Sequence, residues 1–567
     1  MNCKYLYGAA VQGIQDFIFK TNELKHIVGA SELVEQICTK AFDEFGNNGE
    51  SVVRAAGNIK FIFEKEEDCA KAVREFPKKV MTMAPGITIS QAVVLLDNDF
   101  ETAKNAEGEL YKFEVAVNQL ESRLKTQRNR VPQSVTGGLM GIKRANNTGL
   151  PITKVDKDKD GNIIYLDDAT MAKLGKVSEL ENEEKKQERD PKLRVWDLCE
   201  KSFGIPVRRK NIALDISKIT GKNDWIAVIH ADGNGFGQVI QKVGKDKDKF
   251  SLFSKTLDVA TRNAARTAFQ KLKDGGKINT DGIIPIRPVV LDGDDMTAII
   301  RGDLAIDYAA EFIKAFEDET GKDVQKEETG KILGNILKDY KVFENGEKNY
   351  LTACAGIAFI KSSYPFYYGY QLAEELCSQA KKDTKALAKK GKDEHLDYLP
   401  NSCLMFHKVQ DSFITNYDDI IKRELTIIDT KYVETKDDKK ILVEPVLSFK
   451  AGPYYLEMSE RYTISDLERY SKGLNSESGV KSGIRQWITN RLENKNQATQ
   501  RKRRMLLIFN SDDVKTINDL TKESLRFTSS ESDKEGKYDE IREDISICPA
   551  YDVLAYHTIM NQRTNEE

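Results

Sequence analysis

The stretch from Trp225 to Arg301 constrains the fold more than any other, because it contains two apolar runs that each end in carboxylates. The first, Trp225-Ile-Ala-Val-Ile-His-Ala231, is rich in β-branched residues and closes on Asp232-Gly-Asn-Gly-Phe-Gly237. The second, Ile283 to Leu291, closes on Asp292-Gly-Asp-Asp295, after which Met296-Thr-Ala-Ile-Ile300 returns. Such runs read as strands. An Asp-Gly tip between two apolar runs is a strong hairpin signal, so Asp294 and Asp295 are expected on or just past a tight turn, with Asp232 on the adjacent strand.

Clustered carboxylates raise one another's pKa unless a cation lies between them. Oxygen ligands beside glycines suit Mg²⁺ or Mn²⁺ bound to a substrate phosphate. Two such ions, about 3.5–4 Å apart, activate an attacking hydroxyl and stabilise the leaving oxygen in an in-line phosphoryl transfer. Gly233, Gly235, Gly237 and Gly293 would let a triphosphate come close to the backbone. A lone DGDD reads as a solvated turn; the second acid-bearing strand end favours the metal site.

Composition narrows the function classes. A chain of 567 residues is too long for one core and implies three or four domains. At net charge −3 there is no global field for nucleic acid or an acidic membrane, so any nucleic-acid contact must be local. The 8 cysteines include no C-x-x-C pair, which argues against a structural zinc site and a disulfide framework and suits a reducing cytoplasm. Met1 leads straight into a mixed Lys/Tyr/Gly segment and no 18-residue apolar run exists, so neither a signal peptide nor a membrane span is expected. His26, His230, His395, His407 and His557 are isolated and none is directly followed by Asp, against a histidine-metal nuclease.

In chain order, residues 1–100 read strand (5–11), helix (23–45), strand (51–56), tight turn, strand (59–63), helix (67–81), strand (87–96). Residues 223–412 repeat that order: strand 225–231, helix 251–272, hairpin strands 284–291 and 296–301, helix 304–316, strand 352–360, helix 366–381, strand 403–408. The expected fold class is α+β, with two tandem ferredoxin-like domains. The first copy has Gly57 and Asn58 where the second has Asp294 and Asp295, and Ala9 and Ala10 near the place of Asp232. It is expected to lack the metals yet still to be able to hold a nucleotide, with Gly8, Gly13, Gly29 and Gly57 keeping the backbone approachable and Ser31 opening an apolar helix stripe. Residues 101–222 read as a helical and flexible insertion, with a helix over 107–130, loop signals at 135–139 and 147–151, and charge-dense runs at 154–161 and 179–194. Within it, Asp156-Lys-Asp-Lys-Asp-Gly161 has the spacing of a calcium loop, with Asp167 at the place of its last ligand, or of a solvated turn. Residues 413–567 read as mainly helical (414–428, 464–474, 483–494). Gln500-Arg-Lys-Arg-Arg504 is a basic patch that suits RNA phosphates or a solvated face.

With the duplication and the hairpin in hand, the chain resembles the large palm-domain subunit of type III CRISPR effector complexes, the cyclic-oligoadenylate synthetase family related to GGDEF cyclases. The first copy matches at Val11-Gln-Gly13, Ile27-Val-Gly-Ala-Ser-Glu-Leu-Val-Glu35 and Gly57-Asn58. The second matches at Asp232-Gly-Asn-Gly-Phe-Gly237, Asp292-Gly-Asp-Asp295, Ala355-Gly-Ile-Ala-Phe359, Leu372-Ala-Glu-Glu-Leu376 and Ala380-Lys-Lys382. The resemblance implies that Asp232, Asp294 and Asp295 bind two divalent ions, Mg²⁺ or Mn²⁺, and carry catalysis. It implies that ATP is joined into oligoadenylate by attack of a ribose hydroxyl on an α-phosphate. Around the nucleotide it implies Gly233, Asn234, Gly235, Phe236, Gly293 and Gly57, with Ser31 and Ser254 toward adenine and Lys381 toward phosphate. Guide or target RNA and other CRISPR effector subunits are the implied partners. The family usually has Gly where this chain has Asp292, its cysteine-rich zinc element lacks its cysteines here, and no His-Asp nuclease domain precedes the first palm, which suggests a reduced or stand-alone member. The alternatives are an RNA-binding scaffold subunit with weak or no catalysis, and a diguanylate cyclase, which fits less well because those enzymes pair two chains.

Overall fold

The computed structural model describes residues 4–19, 21, 24–46, 48–55, 57–96, 111–129, 141–145, 148–157, 161–175, 191–213, 216–220, 224–243, 247–321, 340–342, 350–390, 397–410, 417–436, 439–475, 479–532 and 537–560. The loop at 135–139 and most of the charged run at 179–194 lie outside them.

In the first palm, β1 (Lys4–Gln12), β2 (Gly49–Ala55), β3 (Asn58–Phe63) and β4 (Thr88–Leu96) form an antiparallel sheet in the order β2-β3-β1-β4. Alternation along β1 sorts its side chains between two cores. Tyr7, Ala9 and Val11 pack with helices Leu24–Cys38 and Glu66–Met83, through Ile37, Phe76 and Val80. Leu6 faces Leu120 and Leu124 of helix Tyr111–Arg128, which covers the other side. The helix expected over 23–45 is broken: Leu24–Cys38 ends at Thr39 and a single turn, Lys40–Asp43, follows.

In the insertion, β5 (Lys154–Lys157) and β6 (Ile163–Leu166) make a hairpin. Asp167 then caps the next helix. Its carboxylate accepts from Thr148 Oγ1 (2.7 Å), Thr170 Oγ1 (2.8 Å) and Thr170 N (3.0 Å), so the residue placed as the last calcium ligand is engaged in holding a helix end.

The second palm repeats the first. β7 (Trp225–Gly233), β8 (Ile286–Asp292) and β9 (Asp295–Arg301) are joined by helices Phe236–Val243 and Lys247–Asp274. Beyond the short β10 (Tyr340–Val342), β11 (Ala353–Lys361) extends the sheet. After helix Phe366–Lys390 and β12 (Asp397–Leu399), β13 (Cys403–Lys408) lies parallel to β11. Ala227, Ile229 and Ala231 face helices Lys247–Asp274 and Ala305–Gly321. Ile226 and Val228 face the other way, into the core that also contains Tyr7 and Phe76 of the first palm. The two palms therefore share one continuous apolar interior, closed by Phe19 stacked on Tyr370 at 3.5 Å.

The C-terminal region contains a sheet that the sequence reading did not anticipate. Residues 426–428, expected as helix, are β14 (Thr426–Ile428); β15 (Tyr432–Lys436), β16 (Lys439–Ser448), β18 (Ser524–Glu531) and β19 (Glu540–Ile547) join it, while β17 (Tyr454–Tyr455) adds to the palm sheet beside β13. β16 and β19 pair in parallel although β17, β18 and several helices lie between them in the chain. The last helix, Ala550–Met560, is fixed by Asp552, which is fully buried. It pairs with Lys450 (2.6 Å) and accepts from Ala451 N (3.0 Å), Gly452 N (3.3 Å) and Tyr454 OH (3.1 Å). Among the described residues no helix is long and apolar enough to cross a membrane.

Candidate functional site

The acids meet at the end of the second sheet. β7 pairs with β9 up to Ala231↔Met296, so the next residues, Asp232 and Asp295, stand side by side. On the outer strand Asp292 pairs with Asp295, leaving Gly293 and Asp294 as a two-residue hairpin tip. Gly293 takes φ +61°, which a two-residue hairpin of this hand requires of its first residue. The tip is anchored from behind. Thr261 of helix Lys247–Asp274, fully buried, donates to Gly293 O at 2.6 Å.

Ligand atoms of His230, Asp232 and Asp295 lie within 4.8 Å of one another. Burial and the neighbouring Asp232 push Asp294 up to about 7, and burial with Asp232 and Asp294 pushes Asp295 up to about 8. These are carboxyls pressed together in a partly enclosed place. The compensating charge is Lys381, on helix Phe366–Lys390, whose ammonium pairs with Asp232 and donates to Gly233 O at 2.8 Å. Burial disfavours that ammonium, but Asp232 more than offsets it and raises its pKa. One ammonium against three carboxyl groups leaves the cluster acidic. Its donor set, carboxylate and carbonyl oxygen on a half-exposed turn, fits Mg²⁺ or Mn²⁺. Asp232, Asp294 and Asp295 are the residues that would hold them. His230 stands behind. Its Nδ1 is bonded to Thr297 Oγ1 (3.2 Å), and burial lowers its pKa to about 4, so it is a neutral neighbour of the acids at pH 7.

The glycine-rich segment after Asp232 also has a local packing cause. A side chain on Gly233 would sit 1.8 Å from the Phe236 ring, so the bare backbone there makes room for Phe236. Asn234 is fully buried, its N–H bonded to Thr352 O (2.8 Å) and its amide to Asn401 O (3.4 Å), while its Oδ1 finds no partner. It fastens the β7 end to the β11 and β13 side of the sheet.

Ser31 and Ser254 are not part of the acid cluster. Ser31 is half-buried on helix Leu24–Cys38, and Ser254 precedes Thr261 by two helical turns, roughly 10 Å of axis. Ser254 lines a cleft of about 280 Å³ between the palms, whose walls include Thr39 and Arg54 from the first and Lys255 and Arg262 from the second. Gly57, at φ +75°, is the first-palm tip residue and packs on Ile14. Thr261 and His230 were missed in the sequence. Thr261 sits in an amphipathic helix with nothing to mark it, whereas His230, two residues before an acid on the same strand face, had a readable signal.

Residues 225–390 match the family of the Cas10/Cmr2 second palm domain. The second palm is a Cas10-type palm domain. Solved structures of a Csm1–Csm4 cassette in complex with pppApA and with pppApApA share the fold of nearly the whole chain, each with TM-score 0.51, 12% identity, and 99% of this chain and 69% of that one covered. A Csm1–Csm4 cassette in complex with AMPPNP aligns over 67% of this chain at 13% identity and TM-score 0.41, and there this chain spans only 53% of its counterpart. No curated protein matches. The resemblance to a Cas10-type large subunit with tandem palms, drawn from the hairpin and the duplication, holds.

Proposed function

We propose that the protein is a divalent-metal-dependent nucleotidyltransferase that converts ATP to cyclic oligoadenylate, or a related cyclic nucleotide, as a second messenger in CRISPR-type antiviral defence. The observation that carries this reading is the convergence of Asp232, Asp294 and Asp295 on one sheet end with Lys381 beside them. The Cas10-type match over 225–390 supports it.

Bound at the three acids, Mg²⁺ or Mn²⁺ would supply Lewis-acid stabilisation of phosphoryl oxygens. The chain's own part is placement and charge. Asp232, on the sheet's central strand, and Asp294 and Asp295, on a hairpin tied down by Thr261, are held on rigid elements, so little reorganisation accompanies reaction. Lys381, whose ammonium lies at Asp232, would be placed to take a phosphate oxygen of a bound nucleotide. The reaction forms a bond from a ribose hydroxyl oxygen to the α-phosphorus of a second ATP and breaks the α–β phosphoanhydride. The hydroxyl proton goes to solvent or a carboxylate, and pyrophosphate leaves. Holding two nucleotides across the palm pair would supply the effective molarity, with Ser31, Gly57 and Ser254 on the first-palm side and along the interpalm helix.

Purified protein incubated with each ribonucleoside triphosphate and Mg²⁺ or Mn²⁺, with and without RNA, and read by mass spectrometry tests this. Oligoadenylate that disappears in Asp294→Asn is the expected result; undiminished product in that variant sinks the assignment. The second reading is an RNA-binding scaffold beside other CRISPR effector subunits, with weak or no catalysis. Nucleotide binding without turnover under every condition would select it.

A further inference from the structure

The second palm sheet has a charged end at each extreme. At the end opposite the acids, β7 begins at Trp225, β11 finishes at Lys361 and β13 at Lys408. Register pairs Lys361 with Trp225 just as it pairs Cys354 with Asp232, so the strand's rise places the two ends about 23 Å apart. Lys361 Nζ and Lys408 Nζ both lie over the Trp225 ring, 4.3 and 4.7 Å from its centroid. Lys481 and Arg485 add two more cations. They are one turn apart on helix Val480–Glu493, a spacing at which like charges repel.

Among the described residues this cluster is largely uncompensated. Burial, Lys361, Arg485 and Lys481, in that order, bring Lys408 down to about 8, and among the described residues the charged groups that act on it are all cations. Burial and Arg485 lower Lys481 as well, and the buried His557 on the last helix, lowered chiefly by burial, is lowered further by Lys481 and Arg485. The acid beside Lys361 is Asp224, 3.2 Å away and largely in solvent. The helix that presents Lys481 starts at Gly479 without a side-chain cap and with no acid in its first turn, so its free N–H groups add positive potential instead of cancelling it. In a chain with net charge −3, four cations with one exposed carboxylate beside them among the described residues are a local exception. Folding does not gain from gathering them; an anion would.

We propose that Lys361, Lys408, Lys481 and Arg485 form a binding site for a chain of phosphates, the chemistry offered by an RNA backbone or by a free polyphosphate, on the sheet end remote from the acids. Trp225 is buried under the two ammoniums, so it orients them and offers no face to a base. Recognition there is of phosphate and carries no sequence preference. The site does not overlap the basic run at 500–504, which lies on the next helix, Lys495–Ile508.

The test uses the full chain, a fluorescein-labelled single-stranded RNA of mixed sequence, and inorganic tripolyphosphate, with binding followed by anisotropy across a salt series. In Lys408→Gln/Arg485→Gln, RNA affinity at 0.1 M salt should fall about 10–30-fold and the slope of log affinity against log salt should become shallower by about 0.7 for each phosphate no longer neutralised. Lys408→Arg, which keeps the charge, should restore it. Tripolyphosphate displacing RNA from wild type but not from the double variant assigns the site to phosphate in either form. Loss of tripolyphosphate binding alone makes the free polyphosphate the occupant. Unchanged affinity and slope for both probes overturns the proposal. Should the double variant not fold, Lys481→Gln alone, on the helix surface, decides with the same readout. Asp294→Asn should leave this binding intact, so failure here and failure of the nucleotidyltransferase reading are separable.

Discussion

The two palms are built on the same plan and differ at the tip of the same hairpin. In the first, Ala55 pairs with Asn58 around the turn, and Asn58 pairs with Ala10. In the second, Asp292 pairs with Asp295, which stands beside Asp232. Register therefore sets Asn58 against Asp295, Gly57 against Asp294, Ala10 against Asp232 and Gly8 against His230. Where the second palm places carboxylates and an imidazole, the first has small neutral residues, and the gap over Gly8 is filled by Leu120 of the covering helix. One copy has kept a polar sheet end and the other has closed it with hydrocarbon. The scaffold tolerates both because the hairpin tip contributes little to either core, so chemistry there can change without touching the fold.

The largest break in this comparison should come from the acids. Asp232→Asn or Asp295→Asn should lower ATP turnover by at least about 10²–10³-fold, while Asn58→Asp in the first palm leaves turnover within about twofold; comparable losses from both would mean that the palms share the chemistry. A second contrast is in pH and metal. The unfolded chain releases carboxyl protons near pH 4, whereas Asp294 and Asp295 hold theirs to about 7 and 8 in the fold. The folded state thus binds more protons across that window, and metal-free stability should fall as pH rises through it. A thermal midpoint lower by a few degrees at pH 8 than at pH 5, recovered by Mn²⁺ and flattened in Asp294→Asn/Asp295→Asn, is expected. A pH slope that survives in the double variant would place its origin elsewhere.

Thr261→Val removes the tether to Gly293 and leaves a carbonyl short of a donor, a cost of about 1–3 kcal/mol. Turnover should drop roughly tenfold with substrate KM unchanged, since the hydroxyl steadies the tip without touching substrate. A drop seen only in KM would make it a binding residue. The smallest effect belongs to the turn glycines. Gly57→Ala and Gly293→Ala each force a left-handed residue and should each cost about 1–2 kcal/mol of stability in denaturant titration. Only Gly293→Ala is expected to cut kcat; a rise in KM with Gly57→Ala would show the first palm in contact with nucleotide.

The palms were legible in sequence because their strands are short apolar runs closed by glycine, and their helices carry one apolar stripe each. The element order in both copies, the hairpin at 292–295 and the position of Asp232 all followed from that. The C-terminal sheet left no such trace. β18 and β19, with sequences SLRFTSSE and EIREDISI, are exposed or half-exposed along most of their length, so no period-2 burial pattern stands out. Their pairing with β16 is a contact between distant segments, which local propensity does not encode. Thr261, Lys381 against Asp232, and the filling of Gly233 by Phe236 are likewise facts of tertiary approach. The cations over Trp225 come from three separate elements, Lys361, Lys408 and the Lys481–Arg485 turn, and meet only in the fold.

The clasp on Asp552 has a consequence for the order of synthesis. Lys450, Ala451, Gly452 and Tyr454, which border the palm sheet, wait for a carboxylate about 100 residues further on. Arg526 of β18, which reaches Asp383 at 3.0 Å on the helix that presents Lys381, is also late. The first palm buries Tyr7, Phe19 and Phe76 in the same core as Ile226, Val228 and Tyr370 of the second, so its interior too is closed only once the second has emerged. Lys450 stays in water until helix Ala550–Met560 has been made, so the contacts that tie this helix to the edge of the palm sheet form only after both palms have been synthesised.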